Sequence, residues 1–154
     1  MQKRYRPNVS AVILSSQYPN VKEVFLAERV DLKNIWQFPQ GGIDEGESEE
    51  DALFRELEEE IGTSDITIIA KHPEWISYDF PSTVSKKRYN FDGQIQKYFL
   101  VKLNDDNKIN IQTKKPEFAR YKFVKLDKIY DEINHFKKPV YTKVLEYFSM
   151  KGYI

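Results

Sequence analysis

The 154-residue sequence contains no cysteine, which excludes disulfides and thiolate metal sites and fits a reducing compartment. It also lacks an excess of either charge: 24 Lys and Arg balance 24 Asp and Glu, so only the placement of charge can point to a partner. No apolar run approaches the length of a membrane span. The start, Met1-Gln-Lys-Arg-Tyr-Arg-Pro, is basic but is not followed by the apolar stretch of a signal peptide. These absences predict a cytoplasmic chain with no membrane partner. Internal repeats, low-complexity tracts and linkers are missing as well, so residues 1–154 are expected to form a single domain. A composition of 40% hydrophobic and 31% charged residues belongs to a folded chain, and the length suffices for a core.

Strand signals fall at Asn8–Ser15 and Glu23–Ala27, with the turn pair Pro19-Asn20 between them predicting a hairpin or meander. A short apolar stretch, Ile35–Phe38, stops at Pro39 and Gly41-Gly42. Helical signs begin at Ser48, which has Asp51 three residues on, a variant of the capping box. Leu53, Leu57 and Ile61 recur every fourth residue, and Gly62 is placed to end the helix. Strands follow at Asp65–Ala70, Trp75–Phe80, Gln96–Leu103 and Arg120–Val124, with a polar turn over Asn104–Lys108. Two helical segments, Leu126–Asn134 and Val140–Met150, close the pattern. This order predicts an α/β sandwich, a mixed β-sheet flanked by helices.

The helix after Ser48 carries a conflict. Its apolar stripe needs burial, yet Glu56, Glu59 and Glu60 gather on an adjacent face, where like charges repel. A hard divalent cation relieves that repulsion, because Mg²⁺ takes oxygen ligands and commonly meets carboxylates together with substrate phosphates. A Glu-rich helix face is otherwise a solvated surface, and Glu49, Glu50 and Glu58 are assigned to one.

The setting of the cluster favours the cation. Gly41, Glu47, Arg55, Glu56, Leu57, Glu59, Glu60 and Gly62 occupy the fixed positions of the Nudix box, and Gly41 to Thr63 resembles that box throughout. Thr63 departs from it at a packing position where an aliphatic residue is usual. The resemblance implies a Nudix-type α/β/α sandwich and a Mg²⁺-dependent pyrophosphohydrolase, with Mn²⁺ or another divalent cation also compatible. It implies that the Gly41 carbonyl and the carboxylates of Glu56, Glu59 and Glu60 hold metal. Glu56 is the first choice for the general base, with Glu60 beside it in the catalytic group. Arg55, with Glu47 as partner, would orient a carboxylate.

Tyr5-Arg6-Pro7-Asn8-Val9, Trp36-Gln-Phe-Pro-Gln40, Gly93-Gln-Ile-Gln-Lys-Tyr-Phe-Leu100 and Pro116-Glu-Phe118 resemble the RNA pyrophosphohydrolase branch, which is shared with dinucleoside polyphosphate hydrolases. Ile95 and Tyr98 depart from the branch, where a polar or basic residue and a tryptophan are common. The resemblance implies hydrolysis of 5′-triphosphate RNA ends to 5′-monophosphate, a step that promotes RNA decay. Its alternative is cleavage of dinucleoside polyphosphates such as diadenosine tetra- or pentaphosphate; a non-catalytic nucleotide- or RNA-binding module is an alternative of another class. Glu117 is implied as an extra metal ligand. Arg6, Gln40, Tyr78 and Lys97 are candidate phosphate contacts, and Arg29 with Phe136-Lys137 a candidate nucleobase grip; Phe136 is alternatively a core anchor. Trp36 and Trp75 are expected as core aromatics, and His72 and His135 have no assigned role. The run Lys86-Lys87-Arg88 is expected in a loop, solvated or attracting an RNA backbone. No protein partner is legible, and a monomer is expected.

Overall fold

The apolar run near the start alternates between two destinations, as a strand buried on both faces must. Val9, Ala11 and Ile13 enter one core cluster, whereas Val12 and Leu14 enter another. They belong to β1 (Tyr5–Leu14), the centre of a mixed sheet in a computed structural model that describes residues 2–81 and 90–154. The run Lys86-Lys87-Arg88 lies outside the described residues.

Beyond β1 the strands are β2 (Glu23–Arg29), β3 (Trp36–Gln37), β4 (Gln40–Gly42), β5 (Ile66–Lys71), β6 (Ile76–Asp79), β7 (Gly93–Leu103) and β8 (Phe118–Lys125). The order β3-β2-β1-β7-β5 forms the spine, with β4 against β1, β6 against β7 and β8 against β2. Only β1 and β7 run parallel among the described strands, in register from Tyr5↔Gly93 to Leu14↔Lys102. That pairing carries both strands back to Tyr5 and Gly93, further toward their N-termini than the expected starts at Asn8 and Gln96. It brings Arg6 and Asn8 beside Gln94 and Gln96 at one end of the sheet.

One helix covers each face. α1 (Glu49–Ile61) buries Ala52, Leu53, Leu57 and Ile61 against the Val9, Ala11, Ile13, Phe99 and Val101 face. α3 (Lys138–Met150) buries Tyr141, Val144, Leu145 and Phe148 against the opposite one. The expected α/β/α sandwich is therefore the observed architecture. No helix among the described residues is long and apolar enough to cross a membrane.

Two expectations need correction. The segment expected as a helix over Leu126–Asn134 is a 3-10 turn, Leu126–Lys128, followed by a four-residue α2 (Ile129–Glu132). It has no side-chain cap, and Ile133 is extended, so a short apolar spacing did not propagate. Trp75 is 40% exposed rather than a core aromatic, its ring covered by the Lys97 ammonium at 5.7 Å. Trp36 does pack on the core beside α3, with Lys122 over its outer face at 4.1 Å.

The ends of α1 follow local chemistry. Ser48 Oγ accepts the Asp51 N–H at 3.0 Å, satisfying one of the orphan donors of the first turn. Gly62 adopts φ 77°, and a Cβ there would stand 2.5 Å from the Asn110 carbonyl oxygen. Gly62→Ala should therefore cost about 2 kcal/mol or more, from left-handed strain plus displacement of the 110 backbone. Urea unfolding measures it, and wild-type stability in that variant would contradict the close approach.

Candidate active site

The helix places the carboxylates; the turn before it places backbone. β4 is a three-residue strand, and pairing of Gly41 with Val9 presses it onto β1. Across from it, the Glu56 carboxyl carbon lies 1.9 Å from where a Gly41 Cβ would be. Only glycine lets the Gly41 backbone and the Glu56 carboxylate share this space.

Arg55 binds the motif together. Its Nε and Nη2 donate to Glu47 at 2.7 and 2.8 Å, a bidentate pair, and Nη2 also donates to the Gly42 carbonyl at 2.9 Å. Nη1 donates to Glu56 at 2.8 Å and more distantly to Glu59 at 3.4 Å. Glu47 in turn accepts the Asp44 N–H at 3.0 Å. These bonds from Arg55 and Asp44 hold the Glu47 carboxyl down at about 2. A guanidinium thus clamps loop, turn and helix, leaving Glu47 a positioning group two bonds from the cleft.

Glu60 has the opposite environment. It is 7% exposed, and its Oε2 is buried with no hydrogen-bond partner. Burial raises its carboxyl well above the usual range, and the charges of Glu56, Glu117 and Glu59 push it further, against a bond from the Gln40 backbone. Glu56 is raised too, by burial, with Arg55 opposing. Four glutamates from α1 and the β8 entrance therefore share one field that a cation would relieve. An orphaned, buried carboxylate oxygen facing like charges is a donor set suited to a hard divalent ion.

The carboxylates do not close around one point. Among the described residues no three acidic or histidine side chains converge enough to hold an ion. Arg55 draws Glu56 and Glu59 toward itself, and the Glu59 side chain is 59% exposed. Helical spacing fixes which residues share the site; their rotamers remain set by Arg55.

These groups line a cleft of about 720 Å³. Glu56, Glu59, Glu60 and Glu117 line it together with Arg6, Gln40, Gly41 and Arg29, and Arg29 pairs across the sheet with Phe118, next to Glu117. The size suits a nucleotide-scale ligand. Asn8, Asp31, Gln37, Gln94 and Lys115 also line it and were not singled out from the sequence. Asn8 and Gln94 had a signal, since strand alternation sets them on the faces of Arg6 and Gln96. Lys115 and Asp31 are loop residues with no such pattern.

Beneath the turn runs a buried polar network. Gln96, fully buried, donates to Asn8 at 2.8 Å and to Gln40 at 2.5 Å, and accepts from the Tyr98 hydroxyl at 2.6 Å. Gln40 Oε1 also accepts from Lys137 Nζ at 2.7 Å. Such a network fixes Gln40, and so the adjacent Gly41 backbone, in one position.

Four expected substrate contacts, Lys97, Lys137, Phe136 and Tyr78, are not among the residues that line the cleft. Lys97 alternates onto the α1 face of β7, where Nζ donates to the Pro73 carbonyl at 3.0 Å, away from the cleft. Lys137 is buried and reaches Gln40, not an open base-binding surface. Burial, with help from the Arg29 charge and against that of Glu60, lowers its ammonium to about 7. Phe136 is 50% exposed, not a core anchor, and packs on Tyr78 at 5.5 Å. Tyr78 hydrogen-bonds Gln94 of the cleft through its hydroxyl. Thr63, the departure from the box, is buried and caps the Asp65 N–H at 3.1 Å, a structural role.

The profile of the NUDIX domain family matches residues 4–144. The RNA pyrophosphohydrolase of Campylobacter jejuni (strain 81-176) is 61% identical over 153 residues, covering 99% of this chain and 98% of that one. The RNA pyrophosphohydrolase of Helicobacter pylori (strain P12) is 53% identical over 154 residues, covering 100% and 99%. Among solved structures, a C. elegans Ap4A hydrolase binary complex superposes with TM-score 0.69 at 21% identity, covering 95% of this chain and 98% of that chain. The E. coli dihydroneopterin triphosphate pyrophosphohydrolase gives the same TM-score and identity over 88% and 92%. These two structures share the fold. Matched by the family over residues 4–144 and by its relatives along nearly its whole length, this chain belongs to the NUDIX domain family.

Proposed function

We propose that the chain is a Mg²⁺-dependent RNA 5′-pyrophosphohydrolase, acting as a monomeric single domain in the cytoplasm and promoting RNA decay. The observation that carries the reading is Glu60, a buried carboxylate with an orphaned oxygen facing three further glutamates in a nucleotide-sized cleft. Full-length relatives bearing the RNA pyrophosphohydrolase name support the choice of substrate.

Glu56, Glu59, Glu60, Glu117 and the Gly41 carbonyl would hold the metal. Bound there, the cation supplies neutralisation of phosphate charge and acidification of water. Glu56 accepts the proton of the attacking water. The water oxygen forms a bond to phosphorus as a bridging P–O bond breaks. One such attack at the α-phosphorus releases pyrophosphate, or two successive attacks, each consuming a water, release two phosphates; either way the RNA keeps a 5′-monophosphate. Arg55 holds Glu56 in reach of that water, with Glu47 fixing the guanidinium. Arg6, which lines the cleft near enough to Glu56 to feel its charge, would meet the phosphate chain. A binding module would have no use for this set of carboxylates.

Incubation with Mg²⁺ and end-labelled triphosphate RNA tests the reading. Release of label and appearance of 5′-monophosphate ends is the expected result. Silence on that substrate with brisk cleavage of diadenosine tetraphosphate would instead select the dinucleoside polyphosphate reading.

Glu60→Gln should lower kcat by about 10²- to 10³-fold, roughly 3–4 kcal/mol of barrier. In metal-free buffer at neutral pH its melting temperature should rise by roughly 3 °C, because a buried charge facing like charges is gone. Saturating Mg²⁺ should stabilise the native protein by several degrees and this variant hardly at all. Differential scanning fluorimetry reads both effects; equal Mg²⁺ responses would place the metal elsewhere.

A further inference from the structure

Arg29 and Arg6 enter the cleft on different terms. Arg6 lies within the field of Glu56. Arg29 is already paired: Nε donates to Asp31 Oδ1 at 2.9 Å and Nη2 to Oδ2 at 2.7 Å. Two parallel bonds from a planar fork to a planar carboxylate fix the orientation of the guanidinium as well as its position. Both side chains remain partly open, 27% and 38% exposed, and both line the cleft.

The surrounding backbone holds the pair in place. The register of β2 against β8 shifts between Glu28 and Arg29, and such a bulge re-aims the side chain at its edge. On either side of Asp31, the Val30 N–H donates to the Glu117 carbonyl at 3.0 Å and the Leu32 N–H to the Arg29 carbonyl at 3.4 Å. Glu28 accepts the Asn34 N–H at 2.8 Å, tying down the far end of the loop. The Val30–Glu117 bond also joins this loop directly to a glutamate of the cleft.

A carboxylate lining a cleft meant for a polyphosphate is costly unless its charge is cancelled. Here it is cancelled by the cation that would otherwise grip phosphate. Paired this way, Arg29 presents a flat, nearly neutral plane, and guanidinium planes stack on unpaired bases. We propose that Asp31 is a positioning residue that holds Arg29 as a nucleobase platform and withholds it from phosphate. The proposal rests on the reading of the cleft as a site for a nucleotide-bearing polyphosphate. It adds a specificity device: Asp31 separates recognition of the base from recognition of the phosphate chain.

A double-mutant cycle tests it, with Asp31→Asn, Arg29→Ala and both, assayed on a triphosphorylated RNA oligonucleotide and with inorganic tripolyphosphate as a baseless competitor. Asp31→Asn should raise KM for RNA about fivefold with kcat within about twofold. It should also tighten inhibition by tripolyphosphate, since the guanidinium loses its bidentate carboxylate and attracts phosphate. Arg29→Ala should raise KM for RNA without weakening tripolyphosphate. In the Arg29→Ala background, Asp31→Asn should change neither constant. Independent, multiplying effects would overturn the proposal. So would a lower KM for RNA in Asp31→Asn, or weaker tripolyphosphate inhibition accompanied by a fall in melting temperature. Wild-type protein that ignores triphosphorylated RNA but cleaves diadenosine tetraphosphate would overturn the RNA reading alone. The same cycle run on that dinucleotide would still decide the role of Asp31.

Discussion

Glu60 occupies the inner side of α1, one residue from Ile61 and three from Leu57, so the packing that buries the apolar stripe carries a carboxylate in with it. Water cannot solvate its Oε2, and the charges of Glu56, Glu117 and Glu59, of the same sign, push against it. The helix is kept under this electrostatic load by the hydrophobic contacts of Leu53, Leu57 and Ile61 with the sheet. A cation turns the same arrangement from a cost into an attraction. Everything else at this end of the sheet serves to hold that arrangement ready.

Two supports do so from opposite sides. Above, Arg55 spans Glu47, the Gly42 carbonyl, Glu56 and Glu59, so the loop before α1 cannot shift without moving the carboxylates. Below, buried Gln96 and Lys137 both donate to the Gln40 side chain, itself partly open to the cleft, fixing the backbone that leads into Gly41. The two supports use different physics. Arg55 works through charge-assisted bonds that remain partly exposed, the lower network through polar groups that have no water to fall back on. On the proposed function, Arg6 and Arg29, which line the cleft beside this centre, would meet the substrate.

The local parts of this design are legible in the sequence. Spacing alone predicts α1, its Ser48 cap and its Gly62 stop, because a helix is made from neighbours in the chain. The glutamates and Arg55 are legible for the same reason. Contacts between distant segments are less so. The parallel pairing of β1 with β7 extends strand structure to Tyr5 and Gly93, beyond what the apolar runs suggest. It also decides that Gln94 and Gln96 face the cleft side while Lys97 faces α1, a matter of register that composition cannot supply. Lys137, a candidate nucleobase contact in the sequence, is in the folded chain a buried donor to Gln40. Asp31 has no pattern around it; only the folded loop shows that its carboxylate meets Arg29.

The central claim is that the four glutamates exist to hold cations against a phosphate chain. Anomalous diffraction from a crystal soaked in Mn²⁺ and a non-hydrolysable triphosphate analogue tests it most directly. The account predicts metal peaks at about 2.2 Å from carboxylate oxygens of Glu56, Glu59, Glu60 and Glu117 and from the Gly41 carbonyl, with the analogue's phosphates on the same ions. Phosphates bound in the cleft while those carboxylates face solvent, and the metal peaks fall elsewhere, would contradict it.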